Sequence, residues 1–139
     1  MAFALRAEGL WKLYESGESV IQAVQDVSIS IKQGSMIAIM GPSGCGKTTL
    51  LNVLSGIDEP NSGTVMINGE NLYGSSDDER TRVRGKHMGF IFQEFNLLPV
   101  MTALENVELP LLIQGTPANE ARIEATKALT AVGLGDRLE

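Results

Sequence analysis

The stretch that most constrains this chain is Gly41-Pro42-Ser43-Gly44-Cys45-Gly46-Lys47-Thr48. It fits G-x-x-x-x-G-K-[ST], a pattern whose backbone wraps phosphate groups. Ahead of it, Ser35 to Met40 is short, apolar and β-compatible, which predicts a buried strand. Behind it, Thr49 to Ser55 places Leu50, Leu51 and Leu54 on one helical face, with Gly56 as the stop. Gly41, Gly44 and Gly46 can take backbone angles that residues with a Cβ avoid, so successive N–H groups can converge on one anion. The open N–H groups of the following helix add to that field. Lys47 would set its ammonium on terminal phosphates, and the Thr48 hydroxyl would supply one ligand to a Mg²⁺ that keeps most of its waters.

The net charge of −6 argues against a general nucleic-acid or anionic-membrane surface, so a phosphate here must be held by a local field. The only cysteine, Cys45, excludes an internal disulfide and suits a reducing compartment. No run of 18 apolar residues exists, and Met1 to Arg6 lacks the basic start and apolar core of a signal peptide, so the chain reads as cytosolic.

Residues 3–14 alternate loosely and predict one strand, interrupted at Gly9. Glu15 to Ser19 is a polar turn, and Val27, Ile29 and Ile31 alternate with polar residues in a second strand. The two are expected to be antiparallel and meander-like. Tyr14 leaves two readings open: a ring that stacks on a base, or a strand-end tyrosine with its hydroxyl in water. After a turn at 58–63, Thr64 to Ile67 reads as a strand closed by Asn68-Gly69. Ser76 and Glu79 have capping-box spacing and open a helix expected to end at Gly85. Its arginines read as a solvated face. His87 to Phe92 predicts another buried strand, leading into Gln93. A glutamine there can offer its amide oxygen to a metal or a water, or have no role at all. A second capping box, Thr102 to Glu105, starts a helix that Pro110 should kink or break. Thr116-Pro117 then begins an Ala-rich helix ended by Gly133, beyond which the last residues close nothing.

These residues together resemble the N-terminal part of an ABC-transporter ATPase subunit, of the lipoprotein-release and macrolide-export type. The resemblance is carried by Leu13-Tyr14, Gly41 to Thr49, Ser62-Gly63, Asn68-Gly69, Gly89 to Gln93, Leu97-Leu98-Pro99 with Thr102 to Val107, and Val132-Gly133-Leu134. It implies an α/β P-loop NTPase core with an N-terminal antiparallel β subdomain (residues 1–95) and the start of a helical lobe (residues 96–139), together an incomplete domain. It implies ATP and Mg²⁺ as cofactors. Tyr14 resembles the adenine-stacking aromatic; Gly41, Ser43, Gly44, Cys45, Gly46, Lys47, Thr48 and Thr49 form the nucleotide loop; Thr48 and Gln93 touch the metal; Lys47 and Gln93 serve catalysis. The partners implied are a transmembrane permease subunit, contacting near Phe95 to Val100, and a second ATP-binding subunit. Neither nucleic acid nor direct membrane insertion is implied, and the location would be peripheral, on the cytoplasmic face of the inner membrane.

The Leu-Ser-Gly-Gly-Gln signature, an apolar strand ending in Asp-Glu and a later switch histidine are not among the 139 residues. Phosphoryl transfer needs charge neutralisation and a positioned nucleophile, so these residues are expected to bind nucleotide and hydrolyse it little or not at all. Strands 35–40 and 87–92 are expected to expose edges and apolar faces. Two other readings stand beside this one: a non-enzymatic module that needs a partner chain, and another P-loop enzyme such as a kinase or GTPase.

Overall fold

The computed structural model describes residues 2–17, 19–74 and 76–139. They form two units, Met1–Gly89 and Phe90–Glu139. The sequence places the division later, between residues 95 and 96.

In the first unit, β1 (Phe3–Ser16) and β2 (Ser19–Lys32) make a long antiparallel hairpin, and β3 (Ser62–Ile67) and β4 (Glu70–Asn71) extend the sheet. The strand order is β2-β1-β3-β4. The expected antiparallel pairing of the first two strands is present as this hairpin, and β3 returns beside β1. Glu18, part of the expected turn, lies outside the described residues. Gly9 does not interrupt β1. It takes φ 58° at a register shift between Ala7 and Leu10, and the irregularity changes which alternate positions face inward. Ala7 is buried before it and Leu10 after it. A Cβ on Gly63 would lie 2.5 Å from the Gly9 carbonyl oxygen, so a side chain there would wedge β3 off β1. Asn68 and Gly69, at φ 48° and 87°, form the tight turn between β3 and β4 that their sequence signals.

Helix α1 (Lys47–Ser55) and helix α2 (Asp77–His87) pack on this sheet. Val53 and Leu54 are buried in the core with Leu10, Val65, Ile67, Leu72 and Val83, and Leu50 lies against them. Leu51, expected on the same face, is 53% exposed; one residue on from Leu50, it sits about 100° round the helix from the buried stripe. α1 ends on Gly56, whose φ of 76° accompanies bonds from the Gly56 N–H to Val53 and the Ile57 N–H to Asn52. α2 runs through Gly85 to His87, beyond the expected stop. The cost of a mid-helix glycine is only about 1 kcal/mol. Beyond it Lys86 and His87 both bond Glu70, at 2.7 and 2.9 Å, and these contacts hold the last turn.

Residues 35–40 correct the sequence expectation. They belong to no strand, and Met36 and Met40 are 97% and 88% exposed. An apolar β-compatible run becomes a buried strand only where neighbouring strands receive its N–H and C=O groups. The sheet among the described residues pairs none of them. The run 87–92 behaves alike: His87 ends α2, and residues 88–92 are irregular.

The second unit holds α3 (Ala103–Ile113) and α4 (Ala118–Ala131). Leu104, Val107, Ala125 and Leu129 form its core. α3 continues through Pro110 without breaking. Proline lacks the N–H that the Asn106 carbonyl would receive, but its fixed φ is helical, and the helix runs on to Ile113. The N-cap of α4 is Pro117, not Thr116, and no side chain caps it. Gly133 ends that helix as expected, with φ 79° and bonds from the Gly133 N–H to Thr130 and the Leu134 N–H to Leu129. The C-terminal residues do close something: Leu138 packs on the helical core, and its carbonyl accepts the Leu104 N–H at 3.0 Å.

Candidate nucleotide-binding site

The geometry of the phosphate-wrapping loop begins with Gly44 and Gly46, at φ 79° and 92°, where L side chains are strained. A Cβ on Gly46 would lie 2.2 Å from the Ala23 carbonyl oxygen of β2, so the loop and the strand touch backbone to backbone. A Cβ on Gly41 would lie 2.7 Å from Cys45 Sγ, because the loop folds back on itself there. The first intrahelical bond of α1 runs from the Leu50 N–H to the Gly46 carbonyl at 2.8 Å. The N–H groups of Lys47, Thr48 and Thr49 precede it and have no partner within the helix. No side chain caps this end, and no acidic residue stands in its first turn.

Lys47 reaches back over the loop. Its ammonium donates to the Gly41 and Pro42 carbonyl oxygens at 2.9 and 2.7 Å and lies 3.7 Å from Cys45 Sγ. The positive charge is thus held at the mouth of the loop by two backbone oxygens, which fix it without neutralising it.

A cleft of about 470 Å³ opens over these groups. Tyr14 of β1 and residues 43–49 line it together with Ile21, Gln22 and Ala23 of β2. Tyr14 is 37% exposed, and its hydroxyl donates to Asp58 Oδ2 at 2.6 Å. That bond raises the Tyr14 phenol above its ordinary value. Burial pushes Asp58 up, but hydrogen bonds from Lys12 and Tyr14 outweigh it, and the carboxyl titrates below its ordinary range. Lys12 Nζ bonds Asp58 Oδ1 at 2.6 Å and stands 5.0 Å from the Tyr14 ring centre.

The fold therefore gathers Tyr14, Ser43, Gly44, Cys45, Gly46, Lys47, Thr48 and Thr49 around one cleft, with Gly41 shaping the loop behind them. Gln93 belongs to the second unit, where it is exposed in an irregular segment. In that unit Phe95, Leu97 and Val100 are exposed by 91%, 63% and 94%. Asn106 fixes the backbone beneath them: its Oδ1 accepts the Leu98 N–H at 2.8 Å, and its Nδ2 donates to Met101 and Thr102 carbonyls. The sequence did not single out Asp58, the β2 wall or Asn106. Asp58 is 44 residues from Tyr14, and no local pattern links the two.

Comparison with known proteins bears on this site. Residues 24–139 match the ABC transporter family. An uncharacterized ABC transporter ATP-binding protein of Thermotoga maritima is 46% identical over 93% of this chain and 55% of its own length. The lipoprotein-releasing system ATP-binding protein LolD of Bordetella avium is 42% identical over 96% of this chain and 58% of its own. The macrolide export ATP-binding/permease protein MacB 1 of Yersinia pestis is 43% identical over 99% of this chain and 21% of its own. The chain thus spans little more than half of the separate ATP-binding relatives and about a fifth of the fused one. Among solved structures, the ATP-binding cassette MJ0796, in a dimeric post-hydrolysis state bound to ADP and Pi, superposes with a TM-score of 0.87 at 40% identity. It does so over 96% of this chain and 59% of that one. The fold agrees with these matches, and the chain belongs to the ABC transporter family of ATP-binding proteins.

Proposed function

We propose that these 139 residues form the nucleotide-gripping part of an ATP-binding subunit of an ABC transporter. The observation that carries the reading is the single cleft that joins an exposed aromatic ring to an uncapped helix start and its glycine loop. The triphosphate fits the loop N–H groups and Lys47, and adenine fits the Tyr14 face. Thr48, which lines the cleft at the start of α1, would supply one ligand to Mg²⁺, and the phosphates themselves would supply others. That ion, when bound, supplies charge neutralisation to the phosphates. The chain's own share is to bind and orient: Lys47 holds the terminal phosphate, and the loop amides fix the others.

Coupling to transport would use a permease subunit at the exposed Phe95 to Val100 segment, which Asn106 holds in shape, and a second ATP-binding subunit. No helix among the described residues is long and apolar enough to cross a membrane, which suits a peripheral place on the cytoplasmic face. By themselves these residues would bind ATP and turn it over little. A second reading, a module that works only with a partner chain, is supported by the exposed Met36, Ile37 and Met40, which no strand among the described residues pairs.

Calorimetric titration with Mg·ATP tests the reading. Lys47→Ala should weaken binding about 100-fold, the scale of removing one partner of a charge pair. Unchanged affinity would refute the site.

A further inference from the structure

The far end of β1 presents a mechanical problem. Its pairing with β3 ends at Trp11 opposite Ser62, so Tyr14, three residues further on, is paired only with Ile21 of β2. A two-stranded ribbon end is a poor base for an aromatic platform. The turn that follows α1 supplies the missing support. The Asn61 N–H donates to the Trp11 carbonyl at 2.8 Å, and Asn61 Oδ1 accepts the Leu13 N–H at 2.7 Å. Lys12 Nζ donates to Asp58 Oδ1 and to the Glu59 carbonyl, at 2.6 and 2.7 Å. The turn is in turn bonded to the helix that starts at the phosphate loop. The Asp58 N–H donates to the Asn52 carbonyl at 3.2 Å, and the Tyr73 hydroxyl sits against the Val53 and Asp58 carbonyls.

We propose that Asp58 is a positioning residue, which fixes the Tyr14 ring over the nucleotide cleft by accepting its hydroxyl while Lys12 locks the carboxylate from the other side. The inference rests on the stacking reading of Tyr14. A phenol bonded to a carboxylate forms a charge-assisted contact, stronger than one to water. It restricts the ring at the tip of the ribbon, so less order has to be created when a base arrives. The contact also links the two ends of the ligand: α1 grips the phosphates at its start and, through the turn after its end, aims the surface for the base.

The test titrates the 139-residue chain with Mg·ATP and, separately, with Mg·tripolyphosphate, which lacks a base. Tyr14→Ala should weaken ATP about 5- to 150-fold and leave tripolyphosphate unchanged. Asp58→Ala and Tyr14→Phe should each weaken ATP about 3- to 10-fold, and the double variant should be no worse than the poorer single one. Ultraviolet titration of the phenols gives a second readout. In Asp58→Ala the Tyr14 ionisation should fall back toward its ordinary pH, well below that of Tyr73, which burial holds at about 12. Asp58→Asn, which keeps an acceptor oxygen, should recover part of the lost ATP affinity and guards against a variant that simply misfolds. Weakening of both ligands alike in Asp58→Ala would overturn the proposal, as would wild-type ATP affinity in that variant. If Tyr14→Ala itself left ATP affinity unchanged, the stacking reading would fall, and the proposal with it.

Discussion

Helices α1 and α3 begin in opposite ways. At α3 the Thr102 hydroxyl accepts the Glu105 N–H at 3.2 Å, and the Glu105 carboxylate accepts the Thr102 N–H at 2.8 Å. This backbone bond lowers the titration of the Glu105 carboxyl. At α1 the same position is Gly46, left-handed and without a side chain, and the first turn carries no acid. Every helix start has four N–H groups without intrahelical partners. At α3 local side chains answer two of them. At α1 none does, and the ammonium of Lys47, held by the Gly41 carbonyl at 2.9 Å, adds positive charge beside them. The difference separates a helix end closed by its own side chains from one whose N–H groups no side chain caps, as the proposed nucleotide site requires.

The comparison can be broken most severely at Gly46. An alanine there would face both a left-handed backbone and the Ala23 carbonyl at 2.2 Å. Gly46→Ala should destabilise the first unit by about 3 kcal/mol and abolish Mg·ATP binding, measured by urea denaturation and calorimetry. A stable variant that binds normally would show that the close approach of loop and β2 is dispensable. Thr102→Ala makes the reciprocal test. It should cost about 1 kcal/mol in the second unit, followed by urea denaturation, with the affinity for ATP unaltered. Reduced affinity would mean that the two helix starts are coupled.

The smallest effect belongs to α2, which secures its last turn with side chains. Arg82, Lys86 and His87 converge on Glu70 at 2.8, 2.7 and 2.9 Å. Hydrogen bonds from Lys86, His87 and Arg82 hold the Glu70 carboxyl at about 2, below its ordinary 4.5. Because the folded value is depressed, the stabilisation is present above pH 4.5 and is lost as pH falls toward 2. Glu70→Gln should flatten that part of the acid-denaturation profile and leave neutral-pH nucleotide binding alone. An unaltered acid limb would show that the cluster contributes nothing to stability.

The features legible in sequence were those written over a few adjacent residues. The phosphate loop, the Asn68-Gly69 turn and the Thr102 capping box each depend on local backbone demands that only certain side chains meet. Burial was less legible. Residues 35–40 are apolar enough for a sheet interior, but apolarity states a capacity and does not name the neighbouring strand that would realise it. By intrinsic cost Gly85 reads as a helix end and Pro110 as a kink or break, yet both stand inside helices; for Gly85 the contacts to Glu70 that hold the last turn come from elsewhere in the chain. Among the residues around the cleft, Lys47 and Tyr14 are singled out by the sequence and Asp58 is not. Asp58 carries no motif, and it meets Tyr14 through a bond spanning 44 residues.

The uneven support along β1 sets a gradient of local opening. At Leu5, Arg6 and Ala7 the strand is paired on both sides, with β2 and with β3, whereas past Trp11 only β2 and one turn hold it. Amide protons should accordingly exchange slowly in the first stretch and faster toward Ser16. The Tyr14 ring thus stands past the point where the strand loses its pairing with β3, and a base stacking there, as proposed, would leave its mark as slower exchange.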